Sequence, residues 1–371
     1  MQETEQLVAD LVAIDSVNPD LVPGGAGEAE VARYVADWLE RARLTTEIVE
    51  PKPGRPSVVA TARGTGGGRS LMLNAHTDTV GVEGMARPFE PEIREGRLYG
   101  RGAYDMKGAL AACMIAGARL AQEDLRGDVI VTGVADEEYA SVGVQAVLES
   151  HSADAAIVTE PTALKVCVAH KGSVWAEIET TGWAAHGSRP AEGIDAITRM
   201  APVLSRLAHL QETLERAEGH PLLGPGTVHA SLIEGGQELS SYPARCLLGL
   251  ERRTVPGETA DDVDNECGAL IEGLEGAELR MGLVREPFEV PRDAAVVTAI
   301  ERAAQAVTGA PPEVFGDTPW MDAAFTQAAG IPTVVFGPGG AGAHSVEEWV
   351  DLASVDACAE ALVQAAREIC A

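Results

Sequence analysis

Aromatic residues are scarce in this 371-residue chain, at 4% of the sequence, and basic residues are outnumbered two to one by acidic ones. The formal charge is 28 minus 57, or −29. A surface of that sign repels phosphate backbones and anionic headgroups, which argues against nucleic acid and membrane surfaces as partners. The acidic residues are spread along the whole chain, so they say nothing about a substrate. No run approaches the ~20 apolar residues that a membrane-spanning helix needs. The six cysteines (Cys113, Cys167, Cys246, Cys267, Cys358 and Cys370) include no CxxC pair, so neither a zinc ribbon nor a disulfide framework is indicated. They read as ordinary buried or surface thiols. The opening Met1-Gln2-Glu3-Thr4-Glu5 is acidic and leads into an amphipathic helix rather than a basic, apolar signal sequence, which predicts a cytoplasmic protein.

What is present is an ordinary globular composition, 46% hydrophobic, in a chain long enough for one large core and a second, smaller domain. Helical spacing covers residues 3–15 and 28–44. Ser57–Ala62 and Ser70–Ala75 read as neighbouring strands, with the glycine-rich Gly64-Thr65-Gly66-Gly67-Gly68 as the hairpin turn between them. That stretch opens a strand and lacks Lys-Ser/Thr, so it is no phosphate loop. An Ala-rich helix beginning at Asp105, a strand at 128–134, a helix at 141–150 and a strand at 155–159 continue the rhythm of a mostly parallel sheet with helices on its faces. From about Gly172 the texture changes. Val174–Thr180 alternates at period two, and the order that follows is βαββαβ, typical of a small ferredoxin-like α+β domain. The helix–strand rhythm returns near Pro291. The expected organisation is therefore a catalytic α/β domain of residues 1–171 and 287–371, interrupted by an insertion at 172–286.

The most informative feature is a series of metal-ligating residue types at successive strand ends. His76-Thr77-Asp78, Asp105, Glu137-Glu138, Glu160 and His344 each close a buried-strand run or open a glycine-rich turn. Ligands of open α/β sheets gather beyond the carboxyl ends of the strands. Two imidazoles and several carboxylates, with no cysteine, suit two borderline divalent ions such as Zn²⁺, and hence metal-assisted hydrolysis. Asp78 lies two residues from His76 on one face of an extended strand end, where it can fix the ligating tautomer. Asp105 can bridge two ions. In Glu137-Glu138 the side chains diverge, so one can ligate while the other faces a water. Each residue alone has an ordinary alternative: a chance HxD, an N-capping Asp105, a solvated pair of glutamates.

The segments Asn74–Asp78, Gly100–Gly108, Asp136-Glu137-Glu138, Thr159-Glu160-Pro161, Gly182–Pro190, Arg253–Glu258 and Gly337–Gly340 with His344 occur in an order that resembles the M20 metallopeptidases and amidohydrolases. That family includes acetylornithine deacetylase and succinyl-diaminopimelate desuccinylase. The resemblance implies two Zn²⁺ per subunit, with Co²⁺ or Mn²⁺ as substitutes. His76 and Glu160 would hold one, Glu138 and His344 the other, and Asp105 would bridge. It also implies that Glu137 is the general base acting on a metal-bridging water, that Asp78 orients His76, and that the peptide after Asp105 is often cis. The insertion would be a lid and dimerisation domain, giving a homodimer. From it His186 would stabilise the oxyanion and Arg253 would bind a substrate carboxylate, while the backbone of Gly339 and Gly340 completes the pocket. Ser240 is the further substrate-binding residue implied; it stands where many members have asparagine, a departure that puts the carry-over of substrate specificity in doubt. The implied activity is hydrolysis of the amide of a small N-acyl amino acid. A metal-dependent carboxypeptidase or dipeptidase and a non-catalytic ligand-binding relative are the rival readings.

Overall fold

The computed structural model of the protein describes residues 2–371; Met1 lies outside the described residues. The chain divides into two compact units. One runs to Val168 and takes in 290–315 and 321–371; the other comprises Ala169–Glu289 and the short return Gly316–Trp320. That return has no local signature in the sequence. Its reason lies in Trp320, whose Nε1 donates to the Glu286 carbonyl at 3.0 Å and whose ring carries the Arg285 guanidinium at 4.2 Å.

The first unit is built on a mixed sheet. Its interior strands Val129–Val134, Leu71–His76, Ala155–Val158 and Thr333–Val335 lie side by side and parallel. All are buried along their length. Burial on both faces is why they read as unbroken apolar runs. Ser57–Ala62 and, beyond it, Thr45–Val49 extend the sheet antiparallel. Gly108–Leu120 is almost wholly buried and packs on Leu352–Ile369.

The expected hairpin is overturned. Ser57–Ala62 and Leu71–His76 are not partners, because Val129–Val134 lies between them and bonds to both. The glycine-rich stretch instead runs along Leu125 and Arg126, through Thr65 N to Leu125 O and Gly66 N to Arg126 O, both 2.8 Å. A Cβ on Gly64 or Gly68 would come within 2.5 Å or less of the backbone of residues 126–127. Those glycines allow one backbone to lie against another, a demand that sequence alone cannot tell from a tight turn.

A third, small sheet was not anticipated: Gly340–Ala341, Trp349–Asp351, Arg97–Tyr99 and Glu92–Arg94. Its strands are only two or three residues long. It brings the segment carrying His344 beside the one leading to Asp105.

In the second unit four antiparallel strands lie in the order Thr227–Gly235, Arg245–Thr254, Gly172–Thr181, Ala277–Arg285. The helices Ala196–Arg216 and Ala260–Ile271 cover one face, burying Met200, Val203 and Val263 against Ile178, Leu248 and Leu250. Asp195 caps the first helix through Thr198 N, and Thr259 with Asp262 forms a capping box on the second. All six cysteines are free and buried. No helix among the described residues is long and apolar enough to cross a membrane.

Candidate metal centre

His76 ends its strand with its ring buried. Its Nδ1 lies 3.0 Å from the Asp78 carbonyl oxygen and 3.5 Å from the Asp78 carboxylate. A proton is therefore favoured on Nδ1, and Nε2 is turned toward Asp105. Asp78 does more than hold one ring. Its Oδ1 accepts from Glu137 N at 3.1 Å, and its Oδ2 accepts from Glu138 N at 3.2 Å and from Asn18 Nδ2 at 2.8 Å. One carboxylate thus fixes both the imidazole and the paired glutamates. That pair sits on a turn opened by Asp136 and closed by Ser141, both with left-handed φ, at +72° and +53°. Such conformations in residues other than glycine are sparsely populated and need surrounding support. Three amides, of residues 139 to 141, bond back to the Asp136 carbonyl and supply it.

Asp105 does not cap a helix. The helix starts at Gly108, and Ala103–Lys107 forms a distorted turn with non-helical torsions at Asp105 and Met106 and a cis Asp105–Met106 peptide. The turn leaves the two carboxylate oxygens of Asp105 facing different histidines. Oδ1 is 3.1 Å from His76 Nε2, and Oδ2 is 3.3 Å from His344 Nε2. Glu160 Oε1 lies 3.8 Å from His76 Nε2, and Glu138 Oε2 lies 3.1 Å from His344 Nε2. His344, at φ +59°, is the accessible member, with a side chain 56% exposed; the others are largely buried.

The electrostatics follow from packing carboxylates into one buried place. Burial, the Glu160 charge and the nearby Asp322 and Glu138 push the Glu137 carboxyl well above its usual range. Glu160 and Glu138 are raised likewise, first by burial and then by neighbouring carboxylates. Hydrogen bonds from both imidazoles outweigh burial at Asp105 and hold it low. The bonds that the His344 ring donates to Asp105 and to Glu138 in turn raise His344 to about 10. Glu138 Oε1 is buried without a hydrogen-bond partner among the described residues. Like charges gathered in low dielectric around an orphaned oxygen call for a cation. His76, Asp105 and Glu138 offer ligand atoms within 4.8 Å of one another, and so do His76, Glu137 and Glu160. The donor set fits divalent metal of the borderline class.

The remaining expected residues fall into two settings. Gly339 gives its amide to Ser354 Oγ at 2.8 Å, and Gly340 pairs with Val350 where any Cβ would strike the Trp349 carbonyl. Their backbone is engaged in packing the small sheet. His186, Ser240 and Arg253 belong to the second unit. His186 and Ser240 are on facing segments, joined through Gly187 N to Ser240 O at 2.6 Å and a bridge from His186 to Ser241. His186 is exposed, its Nδ1 bonded to Ser188 Oγ at 2.8 Å. Arg253 is partly exposed and paired with Glu251 at 3.1 Å, whereas its neighbour Arg252 is buried between Glu258 and Glu266.

Three further residues lie near the centre without belonging to the strand-end series: Asn18, Asp322 and Glu348. Each is buried and charged or polar. Only Asn18, in a loop before a proline, has a local signature of any kind.

Comparison with known proteins agrees with this geometry. The chain matches the model of peptidase family M20/M25/M40 over residues 72–368. It is 31% identical over 387 residues to a protein named acetylornithine deacetylase from Proteus mirabilis, covering 98% of this chain and 96% of that one. Among solved structures, it resembles aminopeptidase PepT from Bacillus cereus (TM-score 0.82, 19% identity, 99% and 98% of the two chains). It resembles equally an M20 family metallo-carboxypeptidase from Sulfolobus solfataricus (TM-score 0.81, 20% identity, 99% of each). The chain belongs to the M20/M25/M40 peptidase family and is a metal-dependent hydrolase of linear amide bonds.

Proposed function

We propose that the protein is a cytoplasmic di-zinc amidohydrolase that removes the acyl group from a small N-acyl amino acid. The observation carrying this reading is the division of the Asp105 carboxylate between His76 and His344, each imidazole accompanied by its own glutamate. His76 and Glu160 would hold one ion, His344 and Glu138 the second, and Asp105 both. Bound there, the ions supply Lewis acidity to an amide carbonyl and lower the pKa of a water.

The chain's own groups do the rest. Glu137 takes a proton from the attacking water and returns it to the departing nitrogen, work for which a raised carboxyl pKa is suited. Asp78 keeps His76 in its ligating tautomer. In this reading, which takes these two roles from the resemblance, His186 donates to the oxyanion and Arg253 receives a substrate carboxylate. Deacylation is preferred to peptide cleavage because the relative named a deacetylase matches nearly the whole chain at 31% identity, whereas the peptidase structures match in fold at 20% or less. The test is a panel of N-acetyl and N-succinyl amino acids and dipeptides, assayed before and after chelation. We expect N-acyl amino acids to be turned over, activity to vanish with chelator, and Zn²⁺, Co²⁺ or Mn²⁺ to restore it. Cleavage of dipeptides alone would favour the carboxypeptidase or dipeptidase reading.

We further propose a homodimer formed through the second unit. Thr227–Gly235 is an edge strand paired on one side only, with Leu232 71% and Ile233 54% exposed. Ile197 and Leu204 of the adjacent helix are exposed as well. A bare apolar edge is a template for pairing with another chain. Leu232→Lys combined with Ile233→Lys should reduce the mass measured by light scattering from two chains to one. A variant that stays dimeric would remove this surface from consideration.

A further inference from the structure

Glu348, four residues beyond His344, carries a buried carboxylate to which four donors converge. Oε2 accepts from Arg101 Nη1 at 2.7 Å and from Gly102 N at 2.9 Å. Oε1 accepts from Tyr104 N at 2.9 Å and Asp105 N at 3.0 Å. The Glu348 carbonyl receives Gly100 N at 3.1 Å. Arg101 gives its other nitrogens to the carbonyls of Gly81 and Ser345, both at 3.0 Å. One ion pair therefore ties together the loop after Asp78, the turn of Asp105 and the segment of His344. Hydrogen bonds to a charged acceptor are the stronger kind, and buried ones are little screened.

From this convergence we infer that Glu348 is a positioning residue for the metal centre. Its carboxylate fixes the main chain of the Asp105 turn, so that the two Asp105 oxygens stay between His76 and His344. The inference rests on the metal-centre reading above. The ordinary alternative is a buried acid that merely stabilises a turn. Two facts favour the positioning role. Asp105 is itself one of the four donors, and the same pair anchors the segment that presents His344. A ligand constellation tolerates displacements of only ~0.5 Å, so a bridging carboxylate depends on the backbone beneath it.

Glu348→Gln keeps the volume but turns an NH₂ group toward N–H donors, so half of the clamp loses its acceptor. The experiment titrates Co²⁺ into metal-free wild type and the variant, followed by visible absorption and by EPR of the magnetically coupled pair. Wild type should take two ions with a coupled signal. In the variant the second ion should bind ~10–100-fold more weakly, the loss typical when a ligand's support is removed, and the coupling should fade. Leu362→Ala, a core truncation in Leu352–Ile369, serves as the control, lowering Tm while leaving both ions in place. If Glu348→Gln lowers Tm but binds both ions with wild-type affinity and spectrum, the positioning role is overturned. If wild type itself takes no pair, the metal-centre reading fails first. Should Glu348→Gln not fold, Arg101→Lys provides the second test. It keeps the three backbone donors on Glu348 but gives up Gly81 and Ser345, and should weaken the second ion severalfold; unaltered affinity there would equally overturn the inference.

Discussion

Replacing Glu137 with glutamine should lower kcat by about 10²–10⁴-fold, the range supplied by a positioned general base, while leaving the metal content of the protein unchanged. Glu137 is buried, its main-chain amide is held by Asp78 at 3.1 Å, and its carboxyl is raised by burial and by the surrounding carboxylates. Glutamine preserves shape and removes the proton affinity. It also removes an acid whose ionised form burial and the surrounding carboxylates disfavour, so the metal-free variant should be at least as stable as the wild type. The measurement has a sharp alternative, because His76, Glu137 and Glu160 also converge closely enough to share an ion. If elemental analysis shows that metal is lost together with turnover, Glu137 is a ligand and the base must be sought elsewhere.

The largest effect on stability should come from Arg55→Met, at about 3–5 kcal/mol, the usual consequence of removing one partner from a buried ion pair. Arg55 reaches Glu28 with Nε at 2.7 Å and Nη2 at 2.8 Å, and Asp136 with Nη2 at 2.7 Å; Asp20 completes the cluster. Glu28 and Asp136 have no exposed surface, so the variant leaves both uncompensated. Glu28 sets the direction of the pH dependence. Burial already holds its carboxyl above the ordinary value of 4.5, and Arg55 opposes that rise. Without Arg55 the folded pKa climbs further above the unfolded one. Over that window the folded state binds more protons, so the variant loses stability as pH rises and recovers it as Glu28 is protonated. Chemical denaturation of the chelated proteins at neutral and mildly acidic pH measures both claims. A loss below ~1 kcal/mol at neutral pH would mean that the cluster is screened like a surface pair. Asp136 also accepts from Asn18, which donates to Asp78, so the same variant should disturb the support of His76.

How much of this was legible in the sequence depended on whether a residue's meaning is local. The interior strands announced themselves because both faces are buried, and the second unit because its strands alternate between core and solvent. The series from His76 to His344 could be read because the residue types recur at strand ends. Pairing order was not legible. Nothing near Ser57–Ala62 shows that its partner is Val129–Val134, since strand pairing is settled by chain closure over some seventy residues. Thr45–Val49 is too exposed to give an apolar run, and the strands of the small sheet are too short for any period. Glu347-Glu348 is the sharpest case. The pair resembles a solvated surface as closely as Glu137-Glu138 does, yet Glu347 is exposed and Glu348 is buried among four donors. Only the tertiary arrangement distinguishes them.

The tie between Arg101 and Glu348 spans 247 residues of chain, which has a bearing on the order in which the protein becomes competent during its own synthesis. At ~5–20 residues per second, the ribosome needs on the order of ten to fifty seconds to deliver the second partner after the first. The whole of the second unit, Ala169–Glu289 with Gly316–Trp320, emerges in that interval. Throughout it, Asp105 lacks both His344 and the carboxylate that secures its turn, and Glu138 lacks His344. On the metal-centre reading proposed above, the nascent chain would pass through an incomplete chelator, with the residues around His76 made early and those around His344 well after them. Hydrolytic power would then arrive in a single event, once the second partner is made, rather than growing with the chain.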